Sequence, residues 1–113
     1  MMSIKLTVLK SGEQIISDVQ ELVTSEDQKA PHAYLLDNPH LVMVKEDKNV
    51  LVEEDKKRYG IDVLMTPWII LSKDKKIIIA TDSVVTIVDP IPGVEKMYLD
   101  KRKTFKIEEE LNG

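Results

Sequence analysis

Apolar and polar positions alternate from the start of the chain. Ile4-Lys5-Leu6-Thr7-Val8 repeats with a period of two, the pattern of a strand with one buried face. Lys10-Ser11-Gly12-Glu13 is polar and interrupts that run, and Gly12 can take the positive φ that a tight hairpin turn needs. A second strand is predicted from Gln14 to about Val23, with Ile15, Ser17 and Val19 facing inward; the small Ser17 between two branched residues permits strong curvature or close packing. Thr24 to Pro31 is polar and rich in breakers, hence a loop. Ala33 to Val44 predicts a third strand, interrupted at Asp37-Asn38-Pro39, where the missing proline amide implies a bulge or a free edge. Lys45 to Arg58 is mostly charged and reads as a solvated hairpin tip or a variable loop with Val50-Leu51-Val52 tucked inward. Gly60 to Leu71 predicts a fourth strand in which Pro67 demands a bend or an unpaired amide. Trp68 through Leu71 is apolar without alternation, which signals burial on both faces.

The stretch from Lys76 to Pro90 organises the rest. Two β-branched runs flank the short polar turn Thr81-Asp82-Ser83, and Pro90 marks where pairing stops. Neighbouring residues are apolar in both runs, so the segment must be covered on both sides or must pair with another copy of the chain. Beyond it, Val94, Met97, Tyr98 and Phe105 recur at helical spacing and predict a C-terminal helix, although Thr104 to Ile107 could equally extend a strand; Glu108 to Gly113 is expected to fray. The pattern as a whole is mainly β: five short strands in a small, strongly bent antiparallel barrel over residues 1–90, with 91–113 as a C-terminal extension of the same domain.

Composition narrows the classes of function. A chain of 113 residues is one ordinary domain, and 42% apolar with 32% charged residues is a folded rather than a disordered composition. Aromatics at 4% make the core aliphatic. The net charge of -4 argues against polyanion binding over the whole surface, so a nucleic-acid site has to be a local patch. The absence of cysteine excludes disulfides, thiol catalysis and thiolate metal sites and fits a reducing compartment. No run approaches the roughly 18 apolar residues of a membrane span, and no signal core precedes the first strand. The expected location is therefore cytoplasmic, in a host cell if the protein is viral.

Two segments carry a family resemblance. Val8-Leu9-Lys10-Ser11-Gly12-Glu13-Gln14-Ile15-Ile16-Ser17-Asp18-Val19 resembles the first Sm motif, in which hydrophobic positions surround a turn glycine. Ile79-Ala80-Thr81-Asp82-Ser83-Val84-Val85-Thr86-Ile87-Val88-Asp89-Pro90 resembles the second, in which two short strands flank a polar turn. From about Ile4 to Pro90 the chain is similar to the Sm-like (LSm) family, in particular to small Sm-like proteins of marine phage type. The resemblance implies an SH3-like barrel, assembly into a homo-oligomeric ring, and single-stranded nucleic acid as ligand, RNA more than DNA. Because family rings pair the fourth strand of one subunit with the fifth strand of the next, it places the subunit interface at Trp68, Ile69, Ile70 and Leu71 and at Val84, Val85 and Ile87. The departures are chemical. The Arg-Gly pair of family RNA sites falls on Ala80 and Thr81, which removes a fixed charge and a stacking plane, and the Asp and Asn around the turn into the third strand have no clean match. The family's N-terminal helix is absent, leaving the C-terminal segment to cover the same surface.

Candidate ligand residues follow from position. His32 and Tyr34 enter the third strand, near the loop that faces the pore in Sm-like rings, where they could stack on bases. The alternative is that Tyr34 packs on the sheet and His32 is simply solvated. Thr81 and Ser83 offer hydroxyls in a turn whose Asp82 repels phosphate. Three basic groups occur, at Lys73, Lys75 and Lys76, at Lys56, Lys57 and Arg58, and at Lys101, Arg102, Lys103 and Lys106; repeated by symmetry, each becomes a ring of charge. Acidic neighbours accompany all three, and the C-terminal group is the best candidate. His32 and His40 stand 8 apart without a companion carboxylate motif, and neither a glycine-rich phosphate loop nor a nucleophile elbow is present. No catalytic role, cofactor or metal is expected. Two functions remain: a ring that binds single-stranded nucleic acid, and a structural or adaptor ring that contacts only proteins.

Overall fold

The computed structural model describes residues 2–23, 30–46 and 61–112, the side chains of 46, 61 and 104–112 excepted. The strands are β1 (Ile4–Leu9), β2 (Gln14–Leu22), β3 (Ala33–Glu46), β4 (Ile61–Pro67), β5 (Lys76–Ala80) and β6 (Val84–Val88). A single 3-10 turn, Thr81–Ser83, joins β5 to β6, and helix α1 (Pro92–Asn112) follows. The expected tip at Val50-Leu51-Val52 and the basic group Lys56, Lys57 and Arg58 lie outside the described residues.

All pairing is antiparallel, in the order β4-β3-β2-β1-β6, with β5 beside β3 as well. The first hairpin forms as its sequence dictates. Gly12 takes φ 91°, its amide donates to the Leu9 carbonyl at 2.9 Å, and Leu9 in turn donates to Glu13 at 2.9 Å. The bulge expected at Asp37-Asn38-Pro39 is present. Asn38 adopts φ 54°, the β2–β3 register shifts between Ile16 and Asp18, and β3 changes partner there, from β5 along Ala33 to Asp37 to β4 along His40 to Glu46.

Several expectations are corrected. The fourth strand stops at Pro67 instead of running to Leu71, and the described residues form six strands. Trp68, Ile69, Ile70 and Leu71 are not a doubly buried strand but a turn, closed by the Ser72 amide on the Ile69 carbonyl at 3.1 Å, and Ile69, Ile70 and Leu71 are exposed. The cause lies in β3: its kink removes the straight edge that a longer fourth strand would need, and the Trp68 amide is satisfied instead by Pro39 O at 3.0 Å. The described ladders leave the sheet open rather than closing it into a barrel, since no pairing joins β6 to β4 or β5. What is established is a bent, mainly β antiparallel sheet with one C-terminal helix.

Both faces of the sheet carry a core. Ile15 and Ile16, adjacent on β2 and therefore on opposite faces, are both fully buried. Ile15 joins Leu9, Leu36 and Ile79 on the concave side, with Val19, Tyr34 and Trp68 packed around them. Ile16 joins Ile4, Met65 and Tyr98, where Val94 and Leu99 of α1 complete the packing. Pro92 opens α1 at a position that needs no intrahelical donor, and Glu95 places negative charge in the first turn. The helix extends to Asn112.

Candidate functional site

The bend in β3 is held from α1. Tyr98 is fully buried, and its hydroxyl lies 3.0 Å from the carbonyl oxygens of both Asp37 and Asn38. Arg102 reaches the same point, donating to the Tyr98 hydroxyl at 3.4 Å and to the Asp37 carboxylate at 3.2 Å. Burial opposes the Arg102 charge, yet Tyr98 and Asp37 outweigh it and hold the guanidinium above its ordinary pKa. Burial likewise pushes the Tyr98 phenol up. His40 completes the cluster: its Nδ1 donates to Asn38 O at 2.9 Å, and its ring meets Tyr98 edge to face at 5.7 Å between centroids. Burial lowers the His40 pKa, the Asn38 carbonyl opposes that, and the Lys101 charge reinforces it.

This network settles where the C-terminal basic residues are. Arg102 is engaged with Asp37 and Tyr98, and Lys101 donates its ammonium to the Met65 carbonyl, so both help to dock α1 on the sheet. Lys103 is exposed. The sequence had given no reason to expect Asp37 as the partner of Arg102, because the pair is 65 residues apart and depends on the β3 kink.

A second feature is a groove of about 510 Å³ on the concave side beside β6. Tyr34 stands opposite Glu21 across the β2–β3 ladder, and both line it, with Val19 beneath. Thr81 borders it at the turn out of β5, and Val84, Val85 and Ile87 form the wall given by β6. Its one lining lysine, Lys5, is ion-paired with Asp89. The groove thus brings together two residues expected to touch nucleic acid, Tyr34 and Thr81, and three expected at a subunit interface, Val84, Val85 and Ile87. Tyr34 also packs against the concave core. Ser83 and His32 do not line it. The Ser83 hydroxyl donates to Ala80 O at 2.7 Å within the 3-10 turn, and exposed His32 is placed by its own amide on the Leu22 carbonyl at 2.8 Å. Val19, Glu21 and Lys5 were not foreseen as lining residues; the alternation of β2 that turns Val19 inward was the available signal.

A smaller crevice of about 260 Å³ opens where β3 changes partner, between Pro39, His40, Pro67, Trp68 and Ile77. The Trp68 indole closes one side and donates to Glu13 at 3.3 Å. Buried His40 and exposed His32 occupy different surroundings, and among the described residues no group of three or more His, Cys, Asp or Glu is placed to hold a metal ion.

A sequence model of the family of unknown function DUF6561 matches residues 2–103, which takes in every described strand and the docked half of α1. The chain belongs to that family. Membership supplies no activity, as the family's function is unknown. No protein of curated function matches the chain. Among the described residues no helix is long and apolar enough to cross a membrane.

Proposed function

We propose that this chain is a subunit of a homo-oligomeric Sm-like ring that binds single-stranded nucleic acid, RNA before DNA, through surfaces repeated around the assembly. The observation that carries the reading is the set of edge strands left with one free side among the described residues. There β6 is hydrogen-bonded only to β1, and β4 and β5 only to β3, and each turns an apolar residue to solvent, Val85 on β6, Leu64 on β4 and Ile78 on β5. Exposed apolar edge strands are sites of strand addition by another chain. The order of strands along the sheet, with a 3-10 turn between the last two, supports the Sm-like comparison that the two motifs suggested.

One groove cannot hold both a neighbouring subunit and a nucleotide strand. We assign it to the subunit contact, because three of its lining residues are apolar members of the exposed edge strand. Nucleic acid then meets His32 and Lys103, each multiplied by the symmetry of the ring. A second reading, an adaptor ring that contacts only proteins, is favoured by the internal engagement of Lys101, Arg102 and Ser83 and by the net charge of -4.

Mass in solution comes first: the reading expects a multiple of the 12.9 kDa chain, and a monomer would sink both versions. Anisotropy of a labelled single-stranded oligonucleotide then separates them. The nucleic-acid ring should bind at low salt, with affinity falling on a log-log slope of about -0.7 for each phosphate contacted. Lys103→Glu should weaken binding without changing the mass. An intact ring with no affinity at low salt establishes the adaptor instead.

A further inference from the structure

Turn tips are ordinarily polar. The turn after β4 is the reverse: Ile69, Ile70 and Leu71 are 46%, 68% and 98% exposed, and Lys73 and Lys76 follow within a few residues. It is an apolar knob with a flank of net positive charge, Lys73, Lys75 and Lys76 against Asp74. The groove beside β6 offers an apolar strip, Val19, Val84, Val85 and Ile87, within a lining that also carries the hydroxyls of Ser3, Tyr34, Thr81 and Thr86, with the Glu21 carboxylate at its border and Lys5 engaged with Asp89. The knob does not fill the groove of its own chain: Ile69, Ile70 and Leu71 stay exposed, and none of them lines it.

We propose that the 69–71 turn of one copy inserts into the β6 groove of the next, with Ile70 and Leu71 against Val84, Val85 and Ile87 and with Lys73 and Lys76 facing Glu21. This rests on the ring reading and gives its seam a second component besides strand addition. A knob and a groove at different places on one chain make a head-to-tail contact, which closes into a ring when the rotation between copies allows. The residues first read as a fourth strand therefore belong to the interface by insertion. Tyr34 and Thr81 are covered at every seam, and the occupant is a second copy of this chain rather than an oligonucleotide or a foreign peptide.

The test uses two surface variants and their mixture. Leu71→Asp spoils the knob and leaves the groove; Val85→Asp spoils the groove and leaves the knob. Both side chains are mostly exposed, so circular dichroism should match the parent chain. Light scattering should find each variant reduced to a monomer, and an equimolar mixture should give a species of twice the monomer mass, joined by its one intact seam. Variants that keep the parent mass overturn the insertion and leave a ring held by strand pairing alone. Monomeric variants that fail to combine when mixed overturn it equally. A parent chain that is itself monomeric defeats the ring and the insertion together.

Discussion

Removing the hydroxyl of Tyr98 isolates what holds the kink in β3. Phenylalanine keeps the buried ring and its edge contact with His40, so Tyr98→Phe subtracts one oxygen and its bonds. The single O–H donates to Asp37 O or Asn38 O, each 3.0 Å away. Asn38 O also receives the His40 ring nitrogen at 2.9 Å and so keeps a donor when the hydroxyl is lost. The Arg102 bond at 3.4 Å is long and adds little. A buried acceptor stripped of its donor costs about 1–3 kcal/mol. Taking about 2 kcal/mol and a urea slope of about 2 kcal/mol per molar, the unfolding midpoint should fall by roughly 1 M. Trp68, the chain's only tryptophan, is a natural reporter, since its amide is bonded to Pro39 beside the kink. Parent and variant are compared at one protein concentration, because self-association of the proposed kind would add stability by mass action. Tyr98→Ala should lose more, about 3–5 kcal/mol, by emptying the space under α1. A phenylalanine variant within about 0.5 kcal/mol of the parent would refute the claim that this hydroxyl fixes the bend.

Other outcomes follow from the same contacts. Burial holds the His40 imidazole below its ordinary value of 6.5, so the folded chain prefers it neutral; stability is unaffected above that pH and declines below it, as the unfolded chain takes up the proton first. His40→Gln should flatten this acid-side slope of the urea midpoint, and equal slopes in both proteins would assign it elsewhere. Gly12→Ala should cost about 1 kcal/mol through its φ of 91° alone, as nothing lies within 4 Å of the added carbon; an unchanged thermal midpoint would count against that strain. Arg102→Ala breaks an ion pair whose side chains are 22% and 24% exposed, and a loss of about 0.5–1 kcal/mol that shrinks in high salt is expected. A loss that ignores salt would mean that the guanidinium acts through packing.

Local chemistry made much of the fold legible. The period-two run at Ile4 to Val8, the glycine turn, the proline bulge in β3 and the helical spacing of Val94 and Tyr98 each announce structure from within a few residues. Trp68 to Leu71 misled because an apolar run says only that a segment is costly to expose, not which element covers it; the kink that cuts β4 short arises on another strand. Ile16 posed the converse problem. Its burial depends on a helix some eighty positions away, and no pattern in β2 states that both faces will be covered. The groove was half visible, as its β6 wall and Tyr34 stood out singly, but their meeting with Glu21 depends on the register of three ladders.

β3 touches three other strands, and its angle is fastened from the convex side by α1. In a closed assembly that angle acts like the taper of a stone in an arch: it decides how many stones complete the circle. Should copies of the chain close into the proposed ring, side chains at 98 and 102 would bear on its curvature through that angle alone.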